Sequence, residues 1–390
     1  MNRYHLFEIC EINPKKDIPL DNSSSVTFLP MEAVSTDGTI DTSRTILVEQ
    51  VKNYSVFKDN DILFAKITPC MENGKGAVVS NLKNGYGAGS TEFIVLRPKD
   101  MVSSKWFYYF LSQKNFRMHC QQHMTGSAGQ KRVPAKFLAN CEIGVPTLEE
   151  QKRIVARIEE LFSQLDSGVE TLKKTKEQLA VYRQAVLKEA FSSCVERVSV
   201  ESVCQHVTDG DHMPPPKTKQ GIPFIMISNI DNHVIDWNNT AFVGDEYYNT
   251  IDTKRRPSKG DVLYTVTGSY GIPVLIDFEK RFCFQRHIAL LRPKNCINQK
   301  FLYYAMQEPG VYAQATKGAT GTAQKTVGLA VLRKIRIPFS DDIDTQTEIV
   351  NDIEAKLSLC DSIEITVDTA LQQAEAMRQS ILKKAFEGEL

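Results

Sequence analysis

The chain has 390 residues, 42% hydrophobic and 24% charged, with 47 basic and 47 acidic side chains. That balance describes a soluble globular protein with core enough for two or more domains, and excludes a disordered chain or a strongly basic nucleic-acid domain. No apolar run is long enough to span a bilayer, nothing near Met1 resembles a signal peptide, and the nine cysteines stand singly without a Cys-x-x-Cys pair; the expected setting is the cytoplasm, with reduced thiols and no membrane partner.

Residues 1–147 carry 17 Lys+Arg against 14 Asp+Glu. They alternate short β-like runs, such as 61–67 and 92–96, with Gly, Pro, Asn and Asp, and a helical stretch follows at 104–116. The reading is a first α+β module. Lys66, Thr68 and Lys75 surround a turn at the end of a strand. The loop 125–132 ends in Gln130, Lys131 and Arg132, after glycines that let a backbone approach a ligand closely. His119 and His123 have the i, i+4 spacing of metal ligands, but a fourth ligand is not apparent and no metal is expected.

Residues 148–195 read as a long helix. Ile154, Ile158, Leu161, Leu165, Val169, Leu172, Leu179, Tyr182 and Val186 recur in steps of three and four, the seam of a coiled coil. Thr147 and Glu150 suit a capping box. The step from Leu165 to Val169, beside Gly168, predicts an irregularity.

Residues 196–343 form a second module of the same kind, with β-like runs at 223–228, 261–266 and 287–291 and a helical stretch at 298–307; residues 192–344 carry 18 basic against 16 acidic groups. The Pro-rich loop 209–216, bearing His212, has no counterpart in the first module. Lys217 and Lys219 follow it. Arg255, Arg256 and Arg286 add basic groups, Thr267, Ser269 and Tyr270 occupy the turn equivalent to 66–75, and Thr322, Gln324 and Lys325 the loop equivalent to 125–132. Residues 344–390 read as a second long helix with seam Ile349, Ile353, Leu357, Cys360, Ile363, Val367, Ala370, Ala374, Met377 and Ile381. Thr345 and Glu348 are expected to cap it.

The halves repeat. Gln184-Ala-Val-Leu-Lys-Glu-Ala-Phe191 returns as Gln379-Ser-Ile-Leu-Lys-Lys-Ala-Phe386, and Leu96-Arg97-Pro98-Lys99 as Leu291-Arg292-Pro293-Lys294, both 195 residues on. Neither helix is stable alone with one narrow stripe, so the two are expected to pair. No phosphate loop, nucleophile elbow, His-Glu-x-x-His or amino-methyltransferase motif is present, and no catalytic residue is assigned.

The order of module, Pro146-Thr-Leu-Glu-Glu-Gln-Lys-Arg-Ile154, long helix, second module and second helix resembles the specificity subunit of Type I restriction-modification enzymes. The segments 64–76 and Ser90-Thr-Glu-Phe93 also resemble strings of that family's target-recognition domains. The resemblance implies two such domains, each reading half of a split sequence in double-stranded DNA. Two antiparallel helices would set the gap, with a pseudo-two-fold internal repeat. It implies two modification subunits that carry S-adenosylmethionine, a restriction subunit, and no cofactor on this chain. The alternatives are a coiled-coil interaction scaffold with no DNA role, and an enzyme using His212 with Asp209 or Asp211.

Overall fold

The computed structural model describes residues 2–127, 129–213, 215–322 and 324–390. Met1 lies outside it, as do Ala128, Pro214 and Ala323, which fall in loops discussed above. The chain forms two compact units, Met1–Leu172 with Thr369–Leu390, and Lys173–Asp368. Each holds one module, the start of the long helix that follows it and the end of the other long helix.

In the first module an antiparallel sheet runs Cys10–Ile12, Phe93–Pro98, Ile62–Ala65, Gly76–Val78. A second sheet runs Thr45–Leu47, Ser25–Leu29, Tyr86–Gly89, Ser55–Lys58, and its central pair is parallel. The second module repeats the first sheet and three strands of the second, whose fourth strand lies on the opposite edge. Its first sheet is Cys204–Asp209, Ile288–Pro293, Val262–Thr265, Pro273–Leu275. Its second is Lys217–Thr218, Ala241–Val243, Ile222–Ile225, Cys283–Phe284, with the last pair parallel. A ribbon of Asn2–His5 with Glu142–Val145 recurs as Glu196–Ser199 with Arg336–Phe339. The α+β reading holds, and the repeat extends through 1–60 and 196–260, where the sequences barely match. A strand needs side chains that fit a half-buried pleat, not particular residues. The helical stretch expected at 104–116 is two helices, Ser104–Leu111 and Lys114–Gln122, separated where Gln113 turns extended.

The repeated Leu-Arg-Pro-Lys block is structural. Arg97 grips buried Asp61 with two hydrogen bonds, Nε to Oδ1 at 2.9 Å and Nη2 to Oδ2 at 2.8 Å. Arg292 grips Asp261 in the same way at 2.9 and 2.7 Å. Lys99 and Lys294 donate to the carbonyls of Glu8 and Ser202 at 2.8 and 2.7 Å. Phe191 meets Phe301 edge-on at 5.2 Å, and Phe386 packs on Trp106 at 5.6 Å. Each long helix therefore ends in a phenylalanine pressed against a module.

The helices span Leu148–Ala190 and Ile343–Glu387. Thr147 Oγ1 accepts from the Glu150 amide at 3.3 Å, but the Glu150 carboxylate turns to Arg153 rather than closing the box. The second helix is capped by Asp342, which accepts from the Thr345 amide at 2.9 Å; the expected Thr345–Glu348 cap is not formed. Asp342 wins because it stands before the first helical residue, where a carboxylate meets free amides.

What ties each helix to its module is a glutamine. Gln151, fully buried, accepts from the Ser103 amide at 2.8 Å and donates to the carbonyls of Met101 (3.0 Å) and Pro146 (2.9 Å). Gln346, 195 residues later, accepts from the Asn298 amide at 2.7 Å and donates to Cys296 (3.0 Å) and Ser340 (2.7 Å).

Ile154, Ile158, Leu179, Val186, Ile353, Val367 and Ala374 are buried in the seam, and Leu161, Leu165, Leu172, Ile349, Leu357 and Ile381 are half-buried. Tyr182, Ile363 and Met377 are exposed, contrary to the periodicity, at 48%, 37% and 54%. A charged layer displaces them. Arg183 takes the inner position beside Tyr182 and binds Asp361 at 2.6 Å and Glu364 at 2.9 Å; Glu364 displaces Ile363. In the other unit Arg378, next to Met377, pairs with Asp166 and covers the Phe162 ring at 4.5 Å. Arg183 and Arg378, and Asp166 and Asp361, are 195 residues apart, so both units hold the same pair. The helix runs unbroken through Gly168, so the irregularity expected there is not formed; the missing side chain leaves instead a groove of about 220 Å³ lined by Leu165, Gly168, Leu172, Ala374 and Met377.

Replacing Gln151 or Gln346 by Leu should each cost about 3 kcal/mol in chemical denaturation, because the buried amide and carbonyls lose their partners. Gly168→Ala should stabilise by about 0.5–1 kcal/mol, since a Cβ there meets nothing within 4 Å and glycine weakens a helix interior.

Candidate nucleic-acid interface

In each module the strand-end turn and the glycine-bearing loop come together. In the first, the Thr68 amide and hydroxyl both donate to the Lys131 carbonyl, at 3.0 and 3.1 Å. Arg132 forms bridges with Ile67 and Thr125. In the second, the Gly268 amide donates to the Lys325 carbonyl at 3.0 Å, and Thr326 bridges to Thr267 and Thr320. The turn extends an inner strand of the sheet, and the loop leads from the small helix to the last helix. Backbone pairing fixes one against the other.

The side chains differ in freedom. Gln130 and Lys131 are exposed, as are Ser269, Thr322, Gln324 and Lys325. Lys66 and Thr68 are half-buried, and Thr267 is buried, with its hydroxyl accepting from Thr326 at 3.3 Å. Arg132 is held by Glu92, whose carboxylate accepts at 2.8 and 2.9 Å. These hydrogen bonds hold the Glu92 carboxyl below its usual range. Lys75 donates to the Met31 carbonyl at 3.0 Å. Tyr270 stacks on Tyr312 at 5.7 Å and donates to Thr316 at 3.2 Å.

A second cluster occurs in the second module. Asp209 accepts from Arg255 at 3.0 Å and lies 2.8 Å from His212 Nε2. Asp211 is clamped to the strand Cys283–Phe284 and its continuation, its amide donating to the Phe284 carbonyl at 3.1 Å while its carbonyl accepts from the Arg286 amide at 3.1 Å. The Tyr247 hydroxyl donates to the Asp211 carboxylate; burial and that carboxylate push the phenol's pKa up. Beside this pair opens a cavity of about 490 Å³ lined by Asp211, Tyr247, Thr250, Ile251, Asp252 and Arg255. Lys217, Lys219 and Arg286 are exposed. Arg256 is engaged structurally, donating to the carbonyls of Ile251 (2.9 Å) and Asn249 (2.7 Å).

Glu92, Tyr247 and Arg117 are not among the sequence candidates, and Asp211 is one only in the enzyme alternative. An acidic or phenolic residue that orients an arginine has no signature of its own. His119 and His123 stack around Phe137, and among the described residues no group of three or more His, Cys, Asp or Glu is placed to hold a metal ion.

Two related modules, each presenting a turn and loop fixed by backbone pairing, define an internally duplicated α+β protein. Residues 1–180 and 196–372 match the family described as Type I restriction modification DNA specificity domain, and the chain belongs to that family. The specificity subunit of the Type I restriction enzyme EcoAI of Escherichia coli is 43% identical over 164 residues, a match covering 41% of this chain and 28% of that protein. The chain therefore aligns with little more than a quarter of that relative's length. The EcoKI specificity subunit of Escherichia coli strain K12 is 25% identical over 390 residues, covering 91% of this chain and 80% of that one. A solved chain from work on complex assembly and conformational transition of the type I R-M system shares the fold, with a TM-score of 0.77, 20% identity, and coverage of 100% and 98%.

Glu92→Gln should lower the urea midpoint at neutral pH. A carboxyl depressed on folding contributes fully above its ordinary value of 4.5 and loses that contribution as pH falls through its folded value. Urea titrations should show the gap between variant and parent closing below that pH.

Proposed function

We propose that this chain is the DNA-reading subunit of a Type I restriction-modification complex, each module reading one half of a split duplex sequence. The observation that carries the proposal is the duplicated turn-and-loop cluster: the same backbone pairing presents Lys66, Thr68 and Gln130–Arg132 in one module, and Ser269, Tyr270, Thr322, Gln324 and Lys325 in the other, where buried Thr267 holds the loop and does not reach a ligand. Exposed lysines neutralise phosphates, while glutamine and arginine are suited to adenine and guanine edges. His212, Arg255, Arg286, Lys217 and Lys219 would add a further contact surface in the second module. Lys75 would serve phosphate more than base, and Arg256 would act by shaping the loop.

The long helices would set the gap between half-sites and dock two modification subunits, with a restriction subunit joining them. The methylation chemistry, with S-adenosylmethionine, would belong to the modification subunits; this chain would perform none. No helix among the described residues is long and apolar enough to cross a membrane, in keeping with a duplex target.

Linking two modest readers makes the second contact intramolecular, which raises selectivity without new contacts. The methylome of a host carrying this chain and its methyltransferase partner should show one adenine-methylated split motif that vanishes when this chain alone is deleted. Lys131→Ala and Lys325→Ala should each weaken binding about tenfold or less at physiological salt without changing the motif, as phosphate contacts do. An unchanged methylome with an active partner would overturn the reading.

A further inference from the structure

Arg117 stands on the helix Lys114–Gln122 with its guanidinium pressed against Gly74. An ideal Cβ on Gly74 would sit 1.4 Å from Arg117 Nη1, and the φ of +80° also reserves this place for glycine. Arg117 Nε is shielded from solvent and has no hydrogen-bond partner. Among the described residues no carboxylate lies within ion-pair distance of the guanidinium. Burial disfavours its charge, and the field of Glu375 offsets this in part. Gly74, Lys75, Tyr108, Ser112 and Arg117 help line, among apolar side chains, a cavity of about 10 Å³ whose charged residues are two cations, Arg117 and Lys75, the latter with its ammonium donating to the Met31 carbonyl at 3.0 Å. It has room for one water or one oxygen of a larger anion.

The second module has the same place with different chemistry. The Ala65 amide donates to Lys75 and the Thr265 amide to Ile272, both at 3.1 Å, so Ile272 occupies the position of Lys75. Gly271, with φ +94°, takes the place of Gly74; an ideal Cβ there would meet the Tyr312 ring at 2.6 Å. Tyr312 follows Arg117 by 195 residues and stacks on Tyr270. Both cations are replaced by uncharged side chains. A half-buried charge without a counterion is costly to keep, and a guanidinium fixed against a glycine turn is already ordered for an anion.

We propose that Lys75 and Arg117 form a pocket for one non-bridging phosphate oxygen of the DNA at the first half-site, and that the second module grips its half-site without one. This rests on the DNA-reading function proposed above. The pocket adds affinity and salt dependence to one half of the site and carries no base information.

The test uses the chain assembled with its methyltransferase partner and a duplex bearing the methylated split motif. Affinity is measured across about 50–300 mM salt. Arg117→Met keeps the bulk without the charge; Arg117→Lys keeps the charge. The Met variant should bind about tenfold more weakly at physiological salt, with a log–log salt slope shallower by about one, and read both half-sites unchanged. The Lys variant should retain the parent slope, and so should Tyr312→Met. A parental slope for Arg117→Met would overturn the proposal, as would equal loss of slope in the Lys variant, which would make Arg117 a structural plug. A parent complex that binds no duplex would sink the DNA-reading function and this pocket with it.

Discussion

A helix of more than forty residues with one narrow apolar stripe cannot stand free in water, because it leaves that stripe wet and gains only propensity in return. Both long helices here are of that kind, and the rest of the structure follows from how they are covered. In each unit the start of one helix and the end of the other lie antiparallel and close over a module. Gln151 and Gln346 join helix to module by satisfying backbone groups that the small helices leave open. Removing either glutamine exposes buried peptide groups, whereas the surface ion pairs along the helices, such as Lys105–Glu159 and Lys300–Glu354, contribute far less.

The duplication separates what is fixed from what is free. The Arg–Asp grips, the buried glutamines, the terminal phenylalanines and the arginine of the helix seam occur twice with little change. The turns and loops at the sheet ends keep their backbone pairing and change their side chains. Lys75 and Arg117 in one module correspond to Ile272 and Tyr312 in the other, and the Asp209–His212–Arg255 cluster has no counterpart among the described residues of the first. Scaffold and recognition surface can thus diverge independently, since loop side chains contribute little to the core.

Much of this was legible in the sequence. The 195-residue repeat, the α+β modules and both helices follow from periodicity and repeated strings; the turn and the loop are each visible in the sequence, but their pairing is not. Three further matters do not follow. Periodicity alone puts Tyr182, Ile363 and Met377 inside the seam; a charged layer of Arg183, Glu364 and Arg378 cannot be seen by counting hydrophobic steps. The cap of the second helix is expected at Thr345 and Glu348, because a capping box is a visible pattern while a single Asp342 is not. Partners such as Glu92 and Asp211 lie far along the chain from the arginine or tyrosine they orient, and only folding brings them together.

The proposed function makes the two long helices the element that sets the gap between half-sites. Removing one heptad from each long helix at matched positions keeps the pairing and shortens the rod by about 10 Å, some three base pairs of duplex. The methylome of a host expressing that variant with its methyltransferase partner is the most direct measurement. The account predicts the same two half-sites with a shorter gap. The same half-sites at the original gap, in an active complex, would contradict it.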